Sequence, residues 1–235
     1  MKLDVLVIAA HPDDAEISVG GTLLRLAASG RALGILDLTR GEMGTRGDAQ
    51  DRAREVEAAN AVMGLAWRGN FELPDGRVEV TIGARERIAA LLRELRPDVV
   101  LAHHREDLHP DHAAAGELAR AAWYVAGLAR LAQLSGGAPA HRPARIYHFL
   151  SHVPFEPTLV VDISAHWQRK LELVRCYASQ LSPAHAADRG AHFLFGADIL
   201  QRVETKGRVW GERIGVAFGE PLLHLGPLPA SDSLL

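Results

Sequence analysis

A short apolar run, Leu3-Asp4-Val5-Leu6-Val7-Ile8-Ala9-Ala10, ends without a break in His11-Pro12-Asp13-Asp14. Nothing else in the chain limits its fold as tightly. A run of this length, interrupted only by Asp4, reads as a buried strand. The pattern from about Ala15 to Ser29 is helical with Gly30 as its stop, and Ala32 to Thr39 reads as a second strand. Joined in this order, the three pieces form a βαβ unit with parallel strands. A polar, Gly-rich loop follows over Thr39–Asp48. Helices over Asp51–Met63 and Thr81–Arg96 and a strand over Asp98–Ala102 continue the alternation, with a turn-rich loop at Asn70–Gly76. The expectation is an α/β fold: a Rossmann-like, doubly wound, mostly parallel sheet with helices on both faces.

The second half predicts a helix over Pro110–Ala126, strands over Ile146–Leu150 and Thr158–Ile163, and helices over Ala165–Leu181 and Phe195–Glu212. A last strand at Gly215–Phe218 completes a smaller C-terminal α/β extension. One domain over residues 1–226 and an exposed tail over 227–235 are expected.

Hydrophobic residues make up 48 % of the chain and charged residues 23 %, with a net charge of -3. No cluster of Lys and Arg stands free of acids, so no nucleic-acid partner is expected. No apolar stretch approaches the roughly 20 residues of a membrane span. Asp4 and the His-Pro-Asp-Asp that follows spoil a secretory signal, which leaves a cytoplasmic location as the expectation. The lone cysteine, Cys176, makes neither an internal disulfide nor a thiolate zinc site, and reads as a small buried helix residue.

Two constellations carry chemistry. His11-Pro12-Asp13-Asp14 follows the first strand, and His109-Pro110-Asp111-His112 lies a few residues beyond the strand ending near Ala102. In a doubly wound sheet, ligands sit outside the carboxyl ends of the strands. His11, Asp14 and His112 form a two-His, one-carboxylate set, which suits catalytic zinc and leaves a coordination position open. The same set also suits iron(II). Asp13 is the natural general base, and His109 a cationic donor for a developing oxyanion and a departing amine. Asp111 is expected to orient His109 through the imidazole's other nitrogen. A dinucleotide site is the rival for a βαβ start. The chain lacks G-x-G-x-x-G, however, and Asp13 with Asp14 would repel a pyrophosphate. Gly20-Gly21 reads instead as close packing of the helix on the sheet.

With these two motifs the chain resembles the PIG-L/LmbE-like N-acetylglucosaminyl deacetylase superfamily. Asp37–Gly47, Tyr177-Ala178-Ser179-Gln180 and Gly211–Glu220 resemble its bacillithiol-biosynthesis branch. The resemblance implies one Zn2+ per subunit on His11, Asp14 and His112, with Asp13 as base and His109 as oxyanion stabiliser and amine acid. It implies Arg52 and Arg142 as substrate-contacting arginines, N-acetylglucosaminyl malate as substrate, and a trimeric or hexameric homo-oligomer. A planar guanidinium matches the carboxylates of malate. Glu42 and Asp75, on Gly-rich loops, are candidates for sugar hydroxyls. Another N-acetyl sugar or thiol conjugate on the same scaffold is the nearer alternative, and a non-catalytic zinc or sugar-binding module the farther one. His103 and His104 stand at a strand end; His148, His152, His185 and His192 read as surface or core.

Overall fold

A computed structural model describes residues 1–44, 49–181 and 198–228 of the chain. His185, His192, residues 45–48 of the Gly-rich loop and residues 229–235 of the expected tail lie outside the described residues.

The elements are β1 (Val5–Ala9), α1 (Asp14–Ala28), β2 (Leu33–Asp37), α2 (Ala49–Met63), β3 (Trp67–Asn70), α3 (Ile82–Leu95), β4 (Val99–His103) and α4 (Pro110–Ala126). After these come α5 (Ala129–Leu134), β5 (Arg145–Phe149), β6 (Leu159–Asp162), α6 (Trp167–Arg175), α7 (Ala178–Leu181), α8 (Ile199–Glu212) and β7 (Gly219–His224). The seven strands form one sheet in the order β3-β2-β1-β4-β5-β7-β6. Strands β3 to β5 in that order are parallel, and β7 runs antiparallel to both β5 and β6. The doubly wound α/β sheet with a smaller C-terminal addition is therefore the observed fold. Among the described residues no helix is long and apolar enough to cross a membrane.

Strand pleating divides the core. Val5, Val7 and Ala9 face a layer containing α1 and α6, while Leu6, Ile8 and Ala10 face α3 and α4. Successive side chains of a strand point to opposite faces, so a fully buried strand must be apolar at every position. Strand β1 turns to β2 on one side and to β4 on the other. The chain order reverses there, which opens a crevice beyond the carboxyl ends of β1 and β4.

Helix α1 is not uniform. Val19 leaves helical geometry (φ -132°, ψ 16°). The amides of Gly21 and Thr22 donate to the buried carboxylate of Glu220 at 2.9 and 2.6 Å. A Cβ on Gly21 would stand 2.6 Å from Ile163, and one on Gly20 3.1 Å from Leu173. The glycines do serve close packing, but against Ile163 and α6 rather than against the sheet.

Several boundaries differ from the sequence reading. Trp67–Asn70 is a strand that the reading lacked, and α5 is a helix that it lacked. The last strand is Gly219–His224 rather than Gly215–Phe218; Gly215 takes φ 74° and turns the chain before it. The expected helix over Ala165–Leu181 is broken into a 3-10 turn at Ser164–His166, α6 and α7.

Candidate active site

The loops after β1 and β4 meet in the crevice. A pocket of about 280 Å³ opens there, its wall including His11, Asp13, Asp14, Arg52, His109 and His112. One ligand atom from each of His11, Asp14 and His112 lies within 4.8 Å of the other two. Nδ1 of His11 is 3.2 Å from Asp14 Oδ2, and Nε2 of His112 is 3.3 Å from Asp14 Oδ1.

The outer nitrogens of both imidazoles are backed by carboxylates. Nε2 of His11 stands 3.1 Å from Asp75 Oδ1 and 3.3 Å from Asp111 Oδ2. Nδ1 of His112 stands 3.2 Å from Asp107 Oδ1. Histidines that bind metal usually carry such a partner on the other nitrogen, which fixes the ring and raises its basicity. Two more groups of three meet the same spacing: His11, His109 and Asp111, and Asp107, His112 and His152. Their carboxylates are already engaged. Asp111 accepts from the amides of Gly76 and Val78, and Asp107 from those of His109 and His152. Asp14 also accepts from the His11 amide at 2.8 Å, but of the three sets His11, Asp14 and His112 is the one whose every member lines the pocket.

The electrostatics agree. Burial works against charge on His11, yet Asp111, Asp14 and Asp75 pull its pKa well above the ordinary value. Burial likewise opposes charge on His112, but Asp14 and Asp107 raise it to about 9. Burial pushes Asp14 up, and His112 and His103 outweigh it and hold the carboxyl well below the usual range. Four carboxylates around two imidazoles hold excess negative charge, and a divalent cation between Asp14, His11 and His112 answers it. The donor set therefore fits zinc.

Asp13 caps the start of α1 in the left-handed region (φ 114°, ψ -25°) without a side-chain capping bond. For a non-glycine residue this costs of order 1–3 kcal/mol, a strain that surroundings must enforce. Enforcement comes from Arg52 on α2, whose Nη1 donates to Asp13 Oδ2 and to Pro12 O, both at 2.9 Å. Burial raises the Asp13 pKa to about 6, against the lowering pull of Arg52. A carboxylate so poised near neutrality is suited to taking a proton.

His109 is the N-cap of α4, with Pro110 in the first helical turn. Its Nδ1 accepts from the Asp111 amide at 3.2 Å, so its proton sits on Nε2. Burial, with His112 and His11 nearby, pushes its pKa down to about 4. His109 is thus placed to donate from Nε2. Its hydrogen bond with Asp111 is through that residue's amide, while the Asp111 carboxylate stands by His11 and accepts from the amides of Gly76 and Val78.

The other expected residues fall in different places. Arg52 lines the pocket but its guanidinium is committed to Asp13. Asp75 lines the pocket while accepting from Met43 N at 2.7 Å and facing His11. Glu42 is a brace instead of a pocket group, accepting from the amides of Asp75 and Arg40 at 2.9 and 3.2 Å. Arg142 is outside the pocket wall, stacked over Tyr124 at 4.6 Å and donating to Tyr124 O.

Three groups escaped the sequence reading, and His103, which that reading set at a strand end, joins them. Asp107 backs His112. His152, read as surface or core, lines the pocket and has Nδ1 2.6 Å from Asp107 Oδ1. His103, fully buried, puts Nε2 3.1 Å from Asp14 Oδ2 and Nδ1 2.9 Å from Ser151 Oγ. Lys206 on α8 lines the pocket from the C-terminal half. His148 is core, its Nδ1 donating to His103 O at 2.7 Å. Packing sets this end of β4: a Cβ on Gly116 of α4 would stand 2.6 Å from His103 O. A glycine there lets α4 approach and brings the His112 ring to 4.1 Å from that of His103.

The chain is similar to several known proteins. The family model PIG-L, GlcNAc-PI de-N-acetylase, matches residues 6–123. A diacetylchitobiose deacetylase of Thermococcus kodakarensis is 32% identical over 188 residues, 75% of this chain and 69% of its own. A 4-oxalmesaconate hydratase of Pseudomonas putida is 27% identical over 194 residues, 74% of this chain and 73% of its own. The conserved protein TT1542 of Thermus thermophilus, a solved structure, is 38% identical with a TM-score of 0.83, covering 98% of this chain and 100% of the other.

Proposed function

The chain belongs to the PIG-L family, and from that premise we propose that it is a zinc-dependent deacetylase whose substrate is N-acetylglucosaminyl malate. The coarser statement, a hydrolase of N-acetyl amides of the glucosamine type, rests on the family and on the deacetylase among its relatives. One observation carries the reading: His11, Asp14 and His112 converge at a pocket wall that also presents Asp13.

His11, Asp14 and His112 would hold the ion. Zinc supplies a Lewis acid that polarises a carbonyl and lowers the pKa of water. In the proposed reaction water adds to the acetamide carbon, a C–O bond forms, the C–N bond breaks, and acetate and a protonated amine leave. Asp13 takes the water's proton and returns it to the nitrogen as the amine departs. Arg52 holds the base in place through the shared contact with Pro12 O. His109 offers its Nε2–H to the oxygen on which negative charge develops.

The malate conjugate is proposed on the resemblance of three segments to the bacillithiol branch. All three segments have structural duties, the first through Glu42 and through Asp37, which pairs with Arg68. Tyr177 Oη donates to Glu16 at 2.8 Å, Ser179 donates to Glu55 through its amide and hydroxyl, and Gly211 sits against the backbone of Phe218. A homo-oligomer, to be checked by light scattering, is proposed on the same resemblance; a cytoplasmic location is proposed on the reading of the sequence alone.

The hydratase relative supports a second reading, water addition to an unsaturated acid in the same pocket. The test is acetate release from N-acetylglucosaminyl malate, diacetylchitobiose and N-acetylglucosamine, alongside hydration of 4-oxalmesaconate. Each is run before chelation, after chelation and after zinc is restored. The proposal expects zinc-dependent acetate release, fastest with the malate conjugate. Hydration without acetate release would overturn it.

A further inference from the structure

Lys206 has no place in the reaction as described. Its Nζ donates to Ser151 O, and no carboxylate pairs with it among the described residues. The other cation facing the pocket from outside the two motifs, Arg52, is neutralised by Asp13. An ammonium has three donors, so capacity remains after Ser151. The position is close to the reaction centre. Ser151 Oγ bonds His103, and His103 Nε2 stands 3.1 Å from Asp14.

Behind Lys206 is a second, smaller chamber of about 30 Å³. It shares Ile17, Ser18 and Lys206 with the main pocket. Leu150, Val203 and Trp210 supply apolar lining, and the charge of Lys170 in its wall is met by Glu220 at 2.5 Å. A space of this size admits a group at least as large as a water molecule, enough for a methyl group. Lys206 is thus a cation with no ion pair among the described residues, standing between two cavities, one of them with apolar lining.

We propose that Lys206 and the chamber behind it form a carboxylate subsite beside the metal centre. The ammonium takes the anion, and the chamber takes a short aliphatic group. This rests on the deacetylase reading for its ligand: acetate, the released product, is small enough to place its methyl in the chamber. A carboxylated aglycone offers the same chemistry from the substrate side. Burial, with Lys170 and Arg202 nearby, lowers the Lys206 pKa to about 8 against the raising pull of Asp107. A bound anion relieves both effects.

The test uses the zinc-loaded protein and two variants. Lys206→Met keeps the aliphatic stem, and Lys206→Gln keeps a donor for Ser151 O without the charge. Acetate and malate are each titrated by calorimetry, a readout that needs no turnover. Amine release is then followed with added acetate on N-acetylglucosamine and on N-acetylglucosaminyl malate. Loss of one charge-assisted hydrogen bond weakens binding roughly tenfold or more. A rise of that size in the acetate dissociation and inhibition constants in both variants, with zinc content and KM for N-acetylglucosamine retained, identifies product acetate as the ligand. The same rise confined to malate binding and to KM for the malate conjugate identifies the aglycone. Unchanged binding of both anions in both variants overturns the subsite. Lys206-dependent anion binding in a protein that deacetylates nothing upholds the subsite and sinks the deacetylase reading.

Discussion

The carboxylate of Asp107 stands 3.2 Å from Nδ1 of His112, on the side of the ring away from Asp14. Its other contacts, to the amide of His109 and to His152, tie the loop before α4 to the segment after β5. Several histidine contacts hold the Asp107 carboxyl far below its usual range against burial. Asp107→Ala should weaken zinc binding by about 10–100-fold, the usual effect of removing such a partner. Competition with a chromogenic chelator measures this, and an unchanged affinity would show that His112 is oriented by other means.

Asp13→Asn keeps the side-chain volume and a contact for Arg52 while removing the proton acceptor. Turnover should fall by about 10²–10⁴-fold, with zinc content unchanged. Parallel kinetics and metal analysis check it. Full activity in this variant would end the assignment of Asp13 as base.

Arg68 is buried between Glu16 at 2.6 Å and Asp37 at 2.8 Å. Arg68→Ala leaves both carboxylates buried without a cation, so stability at pH 7 should fall by about 3–5 kcal/mol. Burial raises the Asp37 pKa to about 6, from 3.8. The folded chain therefore takes up that proton before the unfolded chain does, and stability is regained as pH falls through 6 towards 4. Denaturant titrations at pH 7 and 5 should show a smaller deficit for the variant at pH 5.

Lys206 carries a stability cost of the opposite dependence. Its folded pKa, about 8, lies below its ordinary 10.5. The charged form is disfavoured in the fold, so the cost is full below pH 8 and fades as pH rises towards 10.5. Lys206→Met should raise stability at pH 7 by about 1–3 kcal/mol, a few degrees in melting temperature. The gain should shrink at pH 10. Such gains are common where a residue is kept for function.

The central sheet and the candidate metal-binding residues were legible because both follow local signals. β1 announces itself by continuous apolar character, and His11, Asp13 and Asp14 follow it directly. Strand β3, Trp67-Arg68-Gly69-Asn70, has no such signal, since it pairs at the sheet edge and its Arg68 turns to Glu16 and Asp37. The last strand contains Pro221 and lay hidden beyond the Gly215 turn. Asp107 and His152 were illegible for another reason: they meet across 45 residues of chain, with no spacing rule to connect them. Arg52 shows the converse, a residue expected to contact substrate whose guanidinium is engaged by Asp13 and Pro12.

Native mass spectrometry of the wild-type chain and of His11→Ala, Asp14→Ala and His112→Ala, each equilibrated with the same free zinc, tests the central claim most directly. The account predicts one zinc per wild-type chain and loss of that ion in every single variant, because ligands from the loops after β1 and β4 share it. Full zinc occupancy in either histidine variant would contradict it.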